Sequence, residues 1–574
     1  MNVQKSFTLP PARIRLLRVA RESTTANNEI LKMLQAVLVG IACVVFVAYG
    51  VDRLYAFLDD PREPCRISPK IPIIGHVLGF MYYGFDYIDI LSQQTDEEVW
   101  SIGVLGFKMY ITHVIRLTNI IQKTRTLSTR PFWAIENRIH TNTSEEAHVI
   151  FPEILGPWLT RSKQALAPGP GIDVVSLRMA EESNREVSAL LRQGETGLLA
   201  WVKHVAVQVT SIAMFGTHHP FRDPELVEAM WTWDEYRPYH QIGADVLGTG
   251  KMARAKVGDA FQEYFRNMPD DVSLIIRERQ EVLREAGLNE PDIARMQSFF
   301  SDTYHNILPQ LYWTLYEVFS RPELLTAIRQ EILSNALGDH EKTGGGGPQA
   351  QNRVLDLAAL KMSCPLLLAT YQEMQRHRHA RSMSRFVVED TLLDGRFLLK
   401  KGHYLQMPVQ SVHMDTSLWG PTAAVFDPYR FMPAAAEKSI DGKASAEAAA
   451  AGAGAGAEGG GNYTNSGKIR PNSFLPWGTA PYTCPGRQFA STEVLVVTAL
   501  LVLRADLTPV AGKGGAAANA EGRWERDPAV RTFEKATMPR PRREVRVRVA
   551  AREGAGEWRV ALGQGGARIP LASG

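Results

Sequence analysis

The apolar pattern opens with a nearly unbroken run, Met33 to Val51, in which Gln35 is the only strongly polar side chain. Its length is close to the ~20 residues needed to cross a bilayer, so a transmembrane helix is predicted over residues 33–51, behind a basic segment, 1–32. Pro61, Pro64, Pro69 and Pro72 follow, and because proline resists both helix and sheet, residues 52–72 read as a stiff hinge. Farther along the pattern is helical. Ser298 to Phe319 reads as one long helix and Leu366 to Arg378 as another, on which Glu373 and Arg376 share a face. Gly395-Arg396-Phe397, Lys401-Gly402 and His413-Met414-Asp415 then supply strand and turn signals.

Three stretches break the pattern: Gly344 to Gly347, Ala444 to Gly461 and Gly512 to Ala520. Dominated by Gly and Ala, they cannot bury enough apolar surface to offset their ordering entropy. Surface inserts are therefore expected near 338–352, 434–470 and 511–522 of one domain spanning 73–550, with 551–574 as a tail. With 574 residues, 45% hydrophobic and 22% charged, the chain can build a large core, and a formal charge of +3 argues against dedicated nucleic-acid binding. Cys43, Cys65, Cys364 and Cys484 show no CxxC spacing, so neither a disulfide framework nor a zinc site is read.

The densest chemical signal is Trp477-Gly478-Thr479-Ala480-Pro481-Tyr482-Thr483-Cys484-Pro485-Gly486-Arg487, which sets one cysteine between a glycine-bearing turn and an amphipathic helix. A metal-ligating thiolate must be deprotonated, shielded from water and hydrogen-bonded. Just ahead of a helix N-terminus it gains backbone donors and the positive end of the dipole. Gly486 lets the backbone pass close to a flat macrocycle. Taken alone, Cys484 is open to the blander reading of a buried thiol in a Pro/Gly turn.

The stretch resembles the haem-binding loop of cytochromes P450, with Trp477, Gly478 and Gly486 filling the family's aromatic and glycine places around the cysteine. The likeness is closest to the subgroup containing cholesterol 7α-hydroxylase and prostacyclin synthase. Ala480 departs from the pattern, standing where a second glycine is usual. Tyr482 stands where many members keep a basic residue for a haem propionate, so that anchor must come from elsewhere. Glu373 and Arg376, with Arg430 in Phe426-Asp427-Pro428-Tyr429-Arg430-Phe431, resemble the family's Glu-x-x-Arg helix and following arginine loop. In the family those three side chains lock the fold behind the haem. The resemblance covers about residues 60 to 550.

Arg321-Pro322-Glu323 matches the tripeptide that closes the family's oxygen-handling helix. Counting back from Pro322, Asn306 falls where most members carry a threonine and His305 where they carry an acid, while Trp313 lands on the usual aromatic position. An asparagine amide holds a water but passes a proton less readily than a hydroxyl; histidine as a residue type titrates near neutral pH and can supply one. The blander role for His305 is a bond to a neighbouring carbonyl. Asparagine occurs at this place in the subgroup's hydroxylases and isomerase alike. A register shifted by three residues makes Asp302 and Thr303 the acid and alcohol, but it displaces Pro322 and Trp313.

The resemblance implies a mainly α fold with small β-sheets, the cytochrome P450 fold behind an N-terminal transmembrane anchor. It implies heme b on the axial thiolate of Cys484, with Trp477, Gly478, Tyr482 and Gly486 around it and His305 and Asn306 as catalytic residues. The implied activity is monooxygenation of an apolar small molecule with electrons from NADPH-cytochrome P450 reductase. That reductase is a separate partner because the chain has no dinucleotide fingerprint. Membrane lipid is a further partner. The Ala/Gly/Arg-rich inserts look fungal, which favours a secondary metabolite over a sterol. The other readings are a reductase-independent isomerase or dehydratase of the prostacyclin-synthase type, and a non-catalytic haem-binding relic.

The expected location is the endoplasmic reticulum membrane, single-pass, with a cytosolic catalytic domain. Lys5, Arg13, Arg15, Arg18, Arg21 and Lys32 before the span, against Arg53, Arg62, Arg66 and Lys70 after it, lean mildly toward the opposite orientation. The acid-free, Arg-rich first 21 residues also resemble a mitochondrial presequence, the less favoured destination.

Overall fold

The computed structural model describes residues 46–338, 353–432, 473–510, 523–531 and 537–563, apart from 55, 85, 105, 242, 299–301, 480, 481, 526, 527 and 557, with isolated positions between 33 and 43. About half of the predicted anchor, nearly all of the predicted inserts and Ala480 lie outside the described residues.

The core is built around helices that are apolar on every side. Every residue of the Arg487–Arg504 helix from Gln488 onward is buried. A helix hydrophobic all round belongs either in a core or in a membrane. The Leu198–Phe215 helix shows the same character: among the described residues it is the one helix long and apolar enough to cross a membrane, and most of its side chains are buried inside the protein. The Asp302–Phe319 and Pro365–Arg378 helices join these two in one continuous cluster that includes Leu311, Trp313, Met374 and Leu500.

Two helix boundaries differ from the sequence pattern. The helix expected over 298–319 starts at Asp302, and a separate helix, Glu290–Ser298, precedes it. The helix expected from Leu366 starts at Pro365, a first-turn position where the missing N–H has no helical partner to lose.

A six-stranded sheet runs in the order Cys65–Arg66, Trp100–Val104, Phe107–Ile111, Tyr404–Pro408, Ser382–Val387, Leu127–Ser128. Tyr404 stands opposite Met109 in parallel pairing and opposite Phe386 in antiparallel pairing. This register fixes the Ser382–Val387 strand, which borders the candidate site. Three smaller sheets complete the set: Thr391–Leu393 with Phe397–Leu399; Ala505–Pro509 with Arg546–Ala551 and Glu195–Gly197; Trp558–Ala561 with Arg353–Asp356 and Leu337–Gly338.

The segment read as a stiff hinge is docked on the large sheet. Cys65–Arg66 is its edge strand, flanked by Pro64 and Pro69, and an edge tolerates prolines that an inner strand would not. Lys108 Nζ lies 2.6 Å from Asp59 and 2.5 Å from Glu63, pinning the segment to the neighbouring hairpin. The segment set apart as a tail also enters the fold, since Trp558 is buried and its strand pairs parallel with Arg353–Asp356.

Candidate active site

Cys484 sits in the turn that leads into the Arg487–Arg504 helix. Its N–H donates to the Trp477 carbonyl at 2.9 Å, closing the loop, and the Cys484 carbonyl accepts from Arg487 Nη1 at 3.2 Å. Gly478 holds the turn with φ of +74°, in the left-handed region where a Cβ is strained. Gly486 has an ordinary φ of −83°, and an added Cβ would meet nothing nearer than Cys484 Sγ at 4.0 Å. The requirement for glycine is therefore conformational at 478. The half-buried Cys484 lies just before the helix N-terminus, where the dipole favours a thiolate.

A cavity of about 380 Å³ opens at this loop, its lining including Trp477, Gly478, Tyr482 and Cys484 together with Asn306 and Gln310. Three buried polar atoms on its wall, Trp477 Nε1, Thr479 Oγ1 and Thr129 Oγ1, have no hydrogen-bond partner among the described residues. Buried polar groups are normally satisfied, so atoms of this kind mark a place where a bound group completes the bonding. Arg385, from the Ser382–Val387 strand, lies on the same wall with its guanidinium 5.4 Å from the Tyr482 ring centroid. Burial lowers its pKa from the usual arginine value, and Tyr482 opposes that shift. A thiol at one wall, indole and phenol rings, unfilled donors and a buried arginine fit a flat apolar macrocycle with acidic edges.

Behind the loop lies a buried charged network. Arg376 grips Glu373 with two parallel bonds, Nε to Oε2 at 2.7 Å and Nη2 to Oε1 at 2.8 Å. Arg430 Nε adds a third at 3.1 Å, and the Asp427 N–H a fourth at 3.0 Å. All three charged side chains are fully buried. Arg430 spends its remaining donors on the carbonyls of Trp419 at 3.1 Å and Thr422 at 2.9 Å, so the desolvated charges are hydrogen-bonded as their burial demands.

The Asp302–Phe319 helix separates the two residues that register had paired. Asn306 borders the Cys484 cavity, and its Oδ1 accepts the Thr537 N–H at 3.1 Å. His305 lines a different cavity, with Nδ1 2.7 Å from Asp234 Oδ1. Neighbouring helix positions point roughly 100° apart, and here the two side chains border different cavities. Pro309 lies inside the helix and has no N–H to give the His305 carbonyl four residues back. One turn on, Gln310 Nε2 donates to the Asn306 carbonyl at 3.2 Å, while its Oε1 accepts from Tyr371 Oη at 2.7 Å and Gln375 Nε2 at 3.2 Å.

A family model for cytochrome P450 matches residues 271–514. A curated cytochrome P450 monooxygenase, nodJ of Hypoxylon pulicicidum, is 32% identical over 467 residues, covering 79% of this chain and 85% of that protein. The chain belongs to the cytochrome P450 family. A second curated P450 monooxygenase, from Gibberella zeae, is 25% identical over 504 residues, covering 85% of this chain and 90% of its own length. A solved structure of a cyanobacterial P450 with retinoic acid bound superposes with a TM-score of 0.59 at 15% identity, covering 85% of this chain and 99% of that one.

Membership makes this P450 an oxidoreductase of the monooxygenase type, and family and fold imply haem with cysteine thiolate ligation. Three residues of the P450 site went unmarked as such in the sequence. Arg385 lies in a short strand with nothing to single it out. Gln310 reads as an ordinary helix position. His413 was read only as part of a turn signal, yet its buried ring joins the Arg376 carbonyl to the Leu475 N–H.

Proposed function

We propose that Cys484 is the axial thiolate ligand of the haem in a membrane-anchored monooxygenase that oxidises a largely apolar secondary metabolite. The observation that carries this reading is the half-buried Cys484 at a helix N-terminus, on a cavity with three unfilled polar atoms and Asn306 in its lining. When bound, thiolate-ligated haem supplies oxygen activation, using two electrons and two protons to insert one oxygen atom of O2 into a C–H bond.

The protein's own part is to hold, orient and shield. Trp477 and the loop backbone surround the cysteine, and Gly478 sets the turn. Arg385 takes the propionate-anchoring role that Tyr482 cannot fill with charge, and Tyr482 packs beneath it. Glu373, Arg376 and Arg430 fix the loop's foundation. Asn306, on the lining of the Cys484 cavity, would offer its amide to a water there, with Oδ1 also accepting the Thr537 N–H.

Electrons come from a separate NADPH-dependent reductase docking on the Cys484 side. Half-exposed Lys163 and Arg487 support a basic surface there. Burial lowers the pKa of Lys163, Arg487 lowers it further by repulsion, and Cys484 opposes them. The apolar run over 33–51 supports an anchor in the endoplasmic reticulum membrane, and the exposed Ile71, Ile73, Ile74, Met81 and Tyr82 just beyond it suit a lipid surface.

Reduced protein with carbon monoxide tests the thiolate directly: a red-shifted band is expected, and its absence refutes the assignment. Turnover that requires NADPH and reductase separates the monooxygenase from a self-sufficient isomerase. Untargeted metabolite comparison of a deletion strain identifies the substrate class.

A further inference from the structure

A second cavity, of about 550 Å³, lies on the His305 side of the same helix. It is walled by the Pro224–Gln241 helix, by Ala244 to Leu247, and by Arg531 and Arg540. His305 and Asn306 are adjacent on that helix, and Thr537, which borders the Cys484 cavity, lies three residues before Arg540, which borders this one.

The ionised groups of this cavity are matched. Asp234 has His305 at 2.7 Å, Arg540 at 3.0 Å and Arg237 at 3.6 Å. Burial pushes its carboxyl up, but His305, Arg237 and Arg540 outweigh burial and hold it well below the usual carboxylate range. Glu235 has Arg531 at 3.7 Å and Lys203 at 3.8 Å. Asp245 has His240 at 3.0 Å and accepts the Lys251 N–H at 2.9 Å. An ionic ligand would have to compete with these pairs, and at the fully buried Asp234 it would strand a charge. A neutral ligand breaks none.

His305 is the exception to this matching. It is 3% exposed; Nδ1 makes a close ion-pair contact with Asp234 but no well-directed hydrogen bond, and Nε2 has no partner at all among the described residues. With Nδ1 against a carboxylate oxygen, that nitrogen carries the proton. Nε2 then accepts in the neutral ring and donates in the charged one. A hydroxyl both donates and accepts, so it satisfies either state. Pro238, Val246 and Leu247 add apolar wall for the hydrocarbon that carries it.

We propose that this cavity receives the hydroxyl-bearing end of an otherwise apolar substrate, hydrogen-bonded to His305, while the rest of the molecule extends around the helix edge toward Asn306 and Cys484. His305 is then a specificity residue, not the proton source that register suggested. The proposal rests on the reading of Cys484 as haem ligand.

The test uses the full-length holoenzyme and two matched pairs of probes: geranylgeraniol with its methyl ether, and pregnenolone with its 3-methyl ether. Binding is read from the substrate-induced absorbance shift. In at least one pair the alcohol should bind tenfold or more tighter than the ether, and His305→Ala should abolish that preference by weakening the alcohol alone. Ala244→Phe narrows the cavity from an exposed rim position without touching the charges, and it should weaken both members of the pair. Absence of an alcohol preference in both pairs, including absence of any shift, overturns the proposal. So does a preference that survives His305→Ala, or alcohol binding untouched by Ala244→Phe. The carbon-monoxide spectrum of the same preparations keeps the two readings apart. A missing thiolate band defeats the Cys484 assignment, whereas a normal band without alcohol preference defeats only the cavity's role.

Discussion

The N–H of Leu475 donates to Nε2 of His413 at 2.9 Å, which leaves Nδ1, 3.1 Å from the Arg376 carbonyl, to carry the ring proton. A neutral, fully buried imidazole thus ties the Glu373–Arg376 helix to the segment entering the cysteine loop. His413→Ala should cost about 2–3 kcal/mol through two lost hydrogen bonds and buried groups left unpaired. The expected outcome is a lower melting temperature together with faster haem loss; unchanged values for both would remove the link's importance.

Burial draws His413 well below its usual value and holds two other histidines neutral as well, His379 down to about 3 and His219 to about 4. Their folded pKa values lie below the unfolded one, so the unfolded state binds more protons as pH falls. The stability they contribute is complete above about pH 6.5 and is lost as pH drops toward 3–4, by at most about 1.4 kcal/mol per pH unit for each ring. Melting temperature should fall between pH 7 and pH 5, and His219→Gln should shrink that fall. A flat profile in the unmodified protein would contradict the neutral assignments.

Replacing Cys484 by alanine removes the proposed ligand while leaving the loop's backbone bond from position 484 to Trp477 available. The reduced carbon-monoxide complex should lose its red-shifted band. Retention of that band would place the ligand elsewhere.

Arg376→Ala leaves Glu373 with Arg430 as its remaining charged partner, at about 3–5 kcal/mol for breaking a buried network. Since a domain's whole stability is about 5–15 kcal/mol, the variant should be recovered largely unfolded or without haem. Ordinary melting behaviour with full haem content would refute a structural role.

Asn306→Ala should spare substrate-induced spectral shifts while diverting NADPH electrons to peroxide, because the amide beside the cavity no longer orders water. Asn306→Asp keeps an acceptor for the Thr537 N–H and separates loss of that contact from loss of the amide. Unchanged coupling in both variants, with binding lost, would point to Thr303, half-buried on the same helix.

The sequence alone determined the family and the local chemistry at Cys484, because the loop's constraints are short-range. A helix N-terminus, a left-handed glycine at 478 and an aromatic neighbour all lie within a dozen residues. It likewise marked Glu373, Arg376 and Arg430 through motif order, although 54 positions separate Arg376 from Arg430. Tertiary structure decided what depends on which wall faces which space. The sequence grouped His305 with Asn306 because they are adjacent, but a helix turns roughly 100° per residue, and packing against Asp234 assigned the histidine to another cavity. Arg385 and His413 became visible only when the strand register and the buried contacts joined segments far apart in the chain, since no local pattern encodes a partner that folding supplies.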